Sequence, residues 1–381
     1  MLNLLGVIAA VAAVAVPVHA QRVCAPIGEW TIPGGARVEA SEVLTRAARG
    51  SVVLLGESHD NADHHRWQLQ TLGALAALRK NLVIGFEMFP RRVQGALDRW
   101  IAGELSEEEF LRASDWSRVW GMATEHYLPL FHFARINRIP MLALNVEREL
   151  VQSVRARGFE AVPPEKREGL TAAAPASEAY VDWLYKIYSE HGEKGRIAGR
   201  SDPEFRRFVD AELVWDSAMG QAIAQSIART PEALVVGIMG SGHVRFGYGV
   251  PRQLESLGVT RVASLLPWSD GTDCGEFSRG LATAVFGLPA EQAGRSRPLL
   301  GVTLETAANG VRVVTVAPGS VAEAAGLRAG DILVEAAGDA LKEPGGVRSV
   351  VQSVAWGTWL PLKVRRGGEI VELVAKFPPV K

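Results

Sequence analysis

The sequence predicts an α/β protein of more than one domain, whose larger unit is a mainly parallel β-sheet with helices on both faces. Short apolar runs alternate with stretches of helical spacing, which is the pattern of strands covered on both sides by helices. Hydrophobic residues make up 48% of the chain and charged residues 22%, so the chain buries a core and is not disordered. At roughly 150 residues per domain, the 381 residues correspond to two or three domains.

The charge balance excludes one class of function. The chain has 41 Lys and Arg residues against 42 Asp and Glu residues, which gives a net charge of −1. A protein that binds nucleic acid through bulk positive charge carries an excess of basic residues, and no long run of like charge occurs here. We therefore expect no nucleic-acid partner.

The first twenty residues have the pattern of an export signal. Residues 4–16 form an unbroken run of apolar and small residues, which is too short to span a membrane but typical of a signal-peptide core. Pro17 ends the run, and Val18 and Ala20 place small residues where a signal peptidase reads the chain. We predict a signal peptide at 1–20, an exported periplasmic protein and no transmembrane anchor; a buried N-terminal helix is the alternative.

The two cysteines, Cys24 and Cys274, both remain after that cleavage. An even number of cysteines in an oxidising compartment predicts a disulfide, which would tie the start of the mature chain to the end of its first domain. Two free thiols are the alternative. Residues 21–23 lack the small residues of a lipid-attachment motif, so we expect no lipid anchor at Cys24.

Five apolar runs in the first unit, residues 23–287, read as strands of the sheet. Four of them have the pattern of buried parallel strands, and a fifth extends the sheet. The segment 163–229 is longer and more polar than the other connections. Its helical spacing predicts a helical lid across one face of the sheet. The five runs are Ser51–Leu55, Leu82–Phe86, Pro140–Leu144, Leu234–Met239 and Arg261–Leu266.

Carboxylates and imidazoles follow three of these strands. Glu57 and His59 come after the first strand, Glu87 closes the second, and His243 follows the fourth. In an open parallel sheet, ligands bind outside the carboxyl ends of the strands. Charge at the end of a buried strand is costly unless it is paired or bound to a ligand, so we expect these four side chains to converge in one site.

Two kinds of chemistry fit this set of residues. Histidine and glutamate are ligands for Zn²⁺ or Mn²⁺ and leave open positions for water. Alternatively, a carboxylate orients a histidine that acts as a general base on water without a metal. His64 and His65 are near enough in sequence to join either arrangement; a solvated helix start is the alternative for both.

The sequence around these positions resembles the ChaN family of haem-binding proteins, within the Tiki-like superfamily. The matching strings are LLGESHD at 54–60 followed by two histidines, FEMF at 86–89, ALN at 143–145 and GSGH at 240–243. The resemblance covers residues 28–267. It implies an α/β fold whose ligand site lies where the strand ends place it.

The resemblance also implies a cofactor. ChaN members look suited to holding haem in pairs across a homodimer, with tyrosine ligation, so haem is the expected cofactor. A packing role is the alternative for each tyrosine, and no Cys-x-x-Cys-His motif for covalent attachment occurs. The candidate haem-binding residues are Tyr127, Tyr185, Tyr188 and His64.

Other members of the superfamily imply a different activity. Tiki proteases and erythromycin esterases share the Glu-x-His motif and the downstream Glu and His, and they are hydrolases. On that resemblance the chain is a metal-dependent hydrolase or peptidase, with a divalent metal such as Zn or Mn, so the sequence leaves open whether it is an enzyme. A scaffold with a vestigial site is a third reading. The residues of the hydrolase reading are Glu57, His59, Glu87 and His243.

After a linker at 288–298, residues 299–377 form a small unit of short strands and helices. The string VAPGSVAEAAGLRAGDIL at 316–333 resembles a bacterial-type PDZ domain of the kind fused to periplasmic HtrA proteases. Such domains add an extended peptide to an open sheet edge. The resemblance implies that backbone N–H groups of Leu300, Gly301 and Val302 hold a partner protein's C-terminal carboxylate, and that a groove beside Val347 holds its last side chain. Packing of that groove on the first domain is the alternative.

Overall fold

The computed structural model describes residues 23–191, 199–290 and 298–379. The predicted signal peptide and most of the predicted linker lie outside these residues. The described strands are β1 (Trp30–Thr31), β2 (Arg37–Val38), β3 (Val52–Glu57), β4 (Leu82–Pro90), β5 (Met141–Asn145), β6 (Leu234–Gly240), β7 (Val262–Ser269), β8 (Ala284–Leu288), β9 (Val302–Ala307), β10 (Gly310–Val316), β11 (Ile332–Ala336), β12 (Asp339–Ala340), β13 (Trp359–Arg366) and β14 (Glu369–Lys376). The described α-helices are α1 (Ala40–Ala48), α2 (Ala62–Leu78), α3 (Gln94–Ala102), α4 (Glu107–Ala113), α5 (Trp116–Val119), α6 (Thr124–Ile136), α7 (Arg148–Arg157), α8 (Glu178–His191), α9 (Pro203–Arg229), α10 (Val250–Ser256), α11 (Val321–Ala324) and α12 (Pro344–Ser353).

An eight-stranded sheet forms the larger unit. Its order is β2-β1-β8-β7-β3-β6-β4-β5; the six strands from β8 to β5 run parallel, and β1 and β2 add an antiparallel edge. The predicted strands are β3, β4, β5, β6 and β7, so the predicted fold class is confirmed. The sequence reading did not identify β8, which lies at the end of the sheet-forming region.

Helices cover both faces of this sheet, as continuous apolar strands require. In β3, Val53 and Leu55 pack into an aromatic-rich core beneath α2, α3 and α6. Their neighbours Val52 and Leu54 point the other way, into a second core formed with α9 and α10. The alternation is the pleat of a strand buried on both sides.

The residues predicted as a helical lid include α8 and α9. Asp202 begins α9 by accepting a hydrogen bond from the backbone N–H of Glu204, at 2.8 Å. The middle of α9 packs on β5, β6, α7 and α10, and Met219 and Ile223 are fully buried. The helix α9 therefore belongs to the second helical layer and brings its polar residues to the edge of the sheet.

Cys24 and Cys274 form a disulfide, with their Cα atoms 5.7 Å apart. The bond joins the start of the described chain to the turn after β7, across 250 residues of sequence. None of the described helices is long and apolar enough to cross a membrane.

A second, antiparallel sheet forms the C-terminal unit. Its strand order is β14-β13-β11-β10-β9, with β12 beside β11, and α11 and α12 pack against it. Ser320 caps α11 by accepting a hydrogen bond from the backbone N–H of Glu323, at 3.1 Å. Gly326, with a φ of +81°, makes the left-handed turn that ends this segment.

Candidate functional site

Glu57, His59, Glu87 and His243 lie together at the carboxyl-terminal edge of the large sheet. His59 Nδ1 is 2.5 Å from Glu57 Oε1, and His243 Nε2 is 3.4 Å from Glu87 Oε1. The backbone N–H of Gly240 donates to Glu87 Oε2 at 2.6 Å and joins the two pairs to the end of β6. Two carboxylate–imidazole pairs thus face one place from three parallel strands.

Both glutamates lie within their strands, although the sequence reading placed them at or beyond the strand ends. The pairing of β3 with β6 continues to Glu57 opposite Gly240, and β4 extends to Pro90. The carboxylates are therefore part of the sheet edge itself, with exposed fractions of 2% for Glu57 and 6% for Glu87.

The backbone around His59 is fixed from two sides. The hydroxyl of Tyr127 donates to the His59 carbonyl at 3.2 Å, and His65 Nε2 lies 3.3 Å from the same oxygen. Trp120 presents its ring edge to the imidazole, with 4.7 Å between the centroids. His65 is buried, so the sequence alternative of a solvated helix start is wrong for this residue.

His243 has a partner that the sequence reading missed. Asp216 of α9 is fully buried, and its Oδ1 lies 2.8 Å from His243 Nδ1. Its Oδ2 accepts a hydrogen bond from the Tyr180 hydroxyl of α8 at 2.8 Å. The available signal was a carboxylate in the middle of an apolar helical stretch, where an unpaired charge is costly.

The electrostatics of the two pairs differ. Burial alone would raise the pKa of Glu87. The positive charge of His243 and the hydrogen bond to it outweigh burial and lower this pKa to about 2. Burial opposes protonation of His243, but Glu87 and Asp216 raise its pKa well above 6.5. Burial raises the pKa of Glu57. Burial of His59 would lower the pKa of its imidazole, but the hydrogen bond to Glu57 and the charge of Glu57 raise it. At neutral pH, Glu87 and His243 are therefore an ion pair, and Glu57 and His59 form a second hydrogen-bonded pair.

One oxygen in this cluster has no partner. Glu57 Oε2 is buried and forms no hydrogen bond among the described residues. One ligand atom each from Glu57, His59 and Glu87 lies within 4.8 Å of the others. Two carboxylates and an imidazole are a donor set that fits Zn²⁺ or Mn²⁺. His243 contacts this set of ligand atoms through Glu87, to which its Nε2 is close. Its other ring nitrogen, Nδ1, is paired with Asp216.

A cavity of about 630 Å³ opens beside the cluster. This volume falls within the usual range for small-molecule and cofactor sites. His59, Glu87 and His243 line its inner end. The rest of the lining is mixed and includes apolar residues, arginines and glutamates: Met88, Trp120, Met122, Trp215, Arg118, Arg148, Arg155, Glu147, Glu149 and Glu212.

Tyr127 and His64, two of the candidate haem-binding residues, have structural partners instead. Tyr127 is fully buried, and burial raises the pKa of its hydroxyl far above the usual value, so that it stays protonated. His64 Nδ1 accepts a hydrogen bond from the backbone N–H of Ser58 at 2.9 Å, and its Nε2 lies 3.2 Å from Ser269 Oγ. The structure therefore brings neither of these two predicted haem-binding residues to the lining of the cavity.

Tyr185 and Tyr188 also lie apart from the cavity. Both rings pack against Phe205, with centroid distances of 5.2 and 5.6 Å. The Tyr188 hydroxyl donates to Glu204 Oε1 at 3.1 Å. Their positions on α8 are those of packing residues in the helical layer, and neither tyrosine is brought to the cavity.

In the C-terminal unit, Leu300, Gly301 and Val302 form the entry to β9. The carbonyls of Leu300 and Gly301 accept hydrogen bonds from the backbone at 322 and 317, at 2.8 and 2.9 Å. The N–H groups of Leu300 and Gly301 donate to no other backbone group within the described residues. Val347 is only 2% exposed and packs in the core, so it supports the helix rather than lining an open groove.

Residues 43–254 match the model of a protein family whose description is "Haem-binding uptake, Tiki superfamily, ChaN". Residues 298–376 match the model of the PDZ domain. A structure of ChaN from Campylobacter jejuni, described by its cofacial haem binding, aligns at 17% identity over 68% of this chain and 98% of that one, with a TM-score of 0.53. No curated protein matches the chain.

Solved structures also align with the C-terminal unit. A ligand-bound PDZ domain of HtrA3 aligns at 25% identity, over 20% of this chain and 82% of that one, with a TM-score of 0.19. A serine endoprotease from Yersinia pestis aligns at 24% identity, over 22% of this chain and 30% of that one, with a TM-score of 0.20.

Proposed function

Because the chain belongs to the haem-binding uptake family ChaN of the Tiki superfamily, we propose that it binds haem in the cavity beside Glu87 and His243. The observation that carries this proposal is a cavity with aromatic and other apolar side chains in its wall that leads to an imidazole. Met88, Trp120 and Trp215 supply wall surface suited to a macrocycle, while His59 lies at the inner end. An axial ligand and an apolar slot are what haem needs from a protein.

His59 is our candidate for the iron ligand. Its Nδ1 is held by Glu57, and its Nε2 has no hydrogen-bond partner among the described residues. A carboxylate on one ring nitrogen fixes the tautomer and makes the other nitrogen a better ligand. This assignment replaces the tyrosines implied by the family resemblance, since none of those three candidates lines the cavity.

Haemin titration tests the proposal. The wild type should give a saturable Soret shift, and His59→Gln should lower the affinity about tenfold or more because it removes the iron ligand. The matched control is His132→Gln, because His132 lies on the surface with 42% of its side chain exposed. A featureless wild-type titration would refute haem binding, and equal affinities of wild type and His59→Gln would refute the ligand assignment.

We further propose that haem is held by a pair of chains, as the family resemblance implies. The expected result is that haemin converts the protein from the mass of one chain to that of two in analytical ultracentrifugation. A haem-saturated monomer would contradict the pairing while leaving haem binding intact.

For the PDZ domain, we propose capture of a partner protein's C-terminus. The support is that, among the residues the structure describes, the N–H groups of Leu300 and Gly301 beside the start of β9 donate to no backbone carbonyl. A peptide ending in an apolar residue should bind the full chain, and amidation of its C-terminus should weaken binding at least about tenfold, since it removes the charged acceptor. Equal binding of the two peptides would exclude carboxylate capture.

A metal-dependent hydrolase is a second candidate, favoured by the unpartnered Glu57 Oε2. A divalent ion held by Glu57, His59 and Glu87 would satisfy this oxygen and could activate water. Metal analysis after exposure to Zn²⁺ or Mn²⁺ should find one ion per chain in the wild type and none in Glu57→Gln. The matched control is Glu107→Gln on the surface of α4; an ion retained by Glu57→Gln would remove this candidate.

We also propose that the protein is exported to the periplasm. The support is the disulfide between Cys24 and Cys274, because such bonds form and persist in oxidising compartments. Cell fractionation with a thiol-trapping reagent should find the oxidised protein in the periplasmic fraction. Recovery of reduced protein in the cytosolic fraction would contradict this.

A further inference from the structure

Two arginines face the cavity without an ion-pair partner among the residues that the structure describes. Arg148 and Arg155 lie on α7 with Gln152 between them, and all three line the cavity. At 3.6 residues per turn, their positions fall within about 60° of the helix circumference. They form one polar strip with two positive charges, which we call the α7 stripe.

The opposite side of α7 holds the stripe in place. Leu150 and Val154 are buried and pack with Val214 and Ala218 of α9. Because this apolar side is fixed in the helical layer, the stripe stays turned towards the cavity. Its position follows from the packing of the helix.

The acidic residues around the stripe have other partners or carry only part of a charge. Glu147 and Glu149 also line the cavity, and their carboxylates lie 2.6 Å from Arg92 Nε and 3.6 Å from Arg118 Nη1. Arg118, the third arginine of the cavity, already has Asp115 at 2.6 Å. The guanidinium of Arg155 lies over the Phe208 ring, 5.5 Å from its centroid. Glu212 also lines the cavity, but burial raises its pKa to about 7, so it carries only part of a negative charge at neutral pH.

We propose that Arg148 and Arg155 bind carboxylate groups of the ligand, which under the proposed haem function are the two propionates. A guanidinium can donate two parallel hydrogen bonds to a carboxylate, which gives orientation as well as affinity. At the inner end, His243 is already paired with two carboxylates, those of Glu87 and Asp216, and so offers no free positive charge to the same groups. The charge distribution therefore orients the propionate edge of haem towards the α7 stripe.

The test compares haemin with its dimethyl ester, in which both propionates are uncharged. The wild type should bind haemin about tenfold more tightly than the ester, as expected for two exposed charge pairs, and added salt should shrink the preference. The double variant Arg148→Gln/Arg155→Gln should bind haemin as weakly as the ester while its affinity for the ester stays unchanged. The control is Arg157→Gln, on the other side of α7 and outside this cavity.

The outcomes separate this inference from the function on which it rests. If the wild type binds haemin and the ester equally well, or if the double variant keeps the preference for haemin, the carboxylate role of the stripe is refuted and haem binding stands. If the wild type binds neither compound, the proposed function fails and the stripe proposal fails with it.

Discussion

Replacing His64 by asparagine should change how stability depends on pH. His64 is 7% exposed, and burial is the main reason that its pKa falls from 6.5 to about 4. Its Nδ1 accepts the Ser58 N–H, so the ring is neutral in the fold and must lose that hydrogen bond to take up a proton. Below pH 6.5 the unfolded chain binds this proton and the folded chain does not. Stability therefore falls with pH until the folded imidazole titrates near pH 4.

The magnitude follows from the two pKa values. With 6.5 for the unfolded state and about 4 for the folded state, His64 alone should lower the free energy of unfolding by about 2 kcal/mol at pH 5 and about 3 kcal/mol at pH 4. Asparagine places an oxygen where Nδ1 stood and does not titrate. His64→Asn should cost about 1 kcal/mol at pH 7 through the lost Ser269 contact and should be more stable than wild type at pH 4.

Urea unfolding followed by tryptophan fluorescence between pH 7 and 4 measures this difference. His132→Asn, at an exposed position on α6, is the control and should keep the wild-type pH dependence. Parallel curves for His64→Asn and wild type would refute the reasoning. Because His64 is a structural residue here, the variant should also keep the wild-type affinity for haemin.

Three further changes test other parts of the structure. Removing the charge of Asp216 with Asp216→Asn should lower the free energy of unfolding by about 1–3 kcal/mol, and Asp216→Ala by about 3–5 kcal/mol, in urea titrations; no loss in either would exclude the buried pair. Replacing both Cys24 and Cys274 by serine should lower it by about 2–5 kcal/mol, because a long loop is released, and an unchanged midpoint would contradict this. Gly56→Ala should cost about 1–3 kcal/mol in thermal melts because its Cβ would overlap a leucine side chain, whereas Gly95→Ala meets nothing within 4 Å and should be neutral or stabilising.

Much of the fold could be read from the sequence because its signals are local. The strand that ends in Glu57 begins with four apolar residues and lies between polar segments, so its burial on both faces could be predicted. The convergence of Glu57, Glu87 and His243 followed from the rule that parallel strands present their carboxyl ends together. The strand Ala284–Leu288 was missed because it is a short apolar run that directly precedes the expected linker at 288–298.

The remaining site residues depend on tertiary placement. Asp216 lies 27 residues before His243, and only the packing of α9 on the sheet brings them to 2.8 Å. A tyrosine can bind iron or pack in a core. Tyr127 is fully buried, and this burial could not be predicted from the residues around it in sequence. The same holds for Arg148 and Arg155, whose surroundings exist only once α7 is docked.

The ion pair between Asp216 and His243 links the packing of α9 on the sheet to the protonation of His243. Lifting α9 would take away one of the two carboxylates that hold the imidazole positive, and a hydrated aspartate would no longer favour the protonated ring. Undocking this helix should therefore lower the pKa of His243, and redocking should raise it again. The position of α9 and the protonation of His243 are thus thermodynamically linked in this molecule.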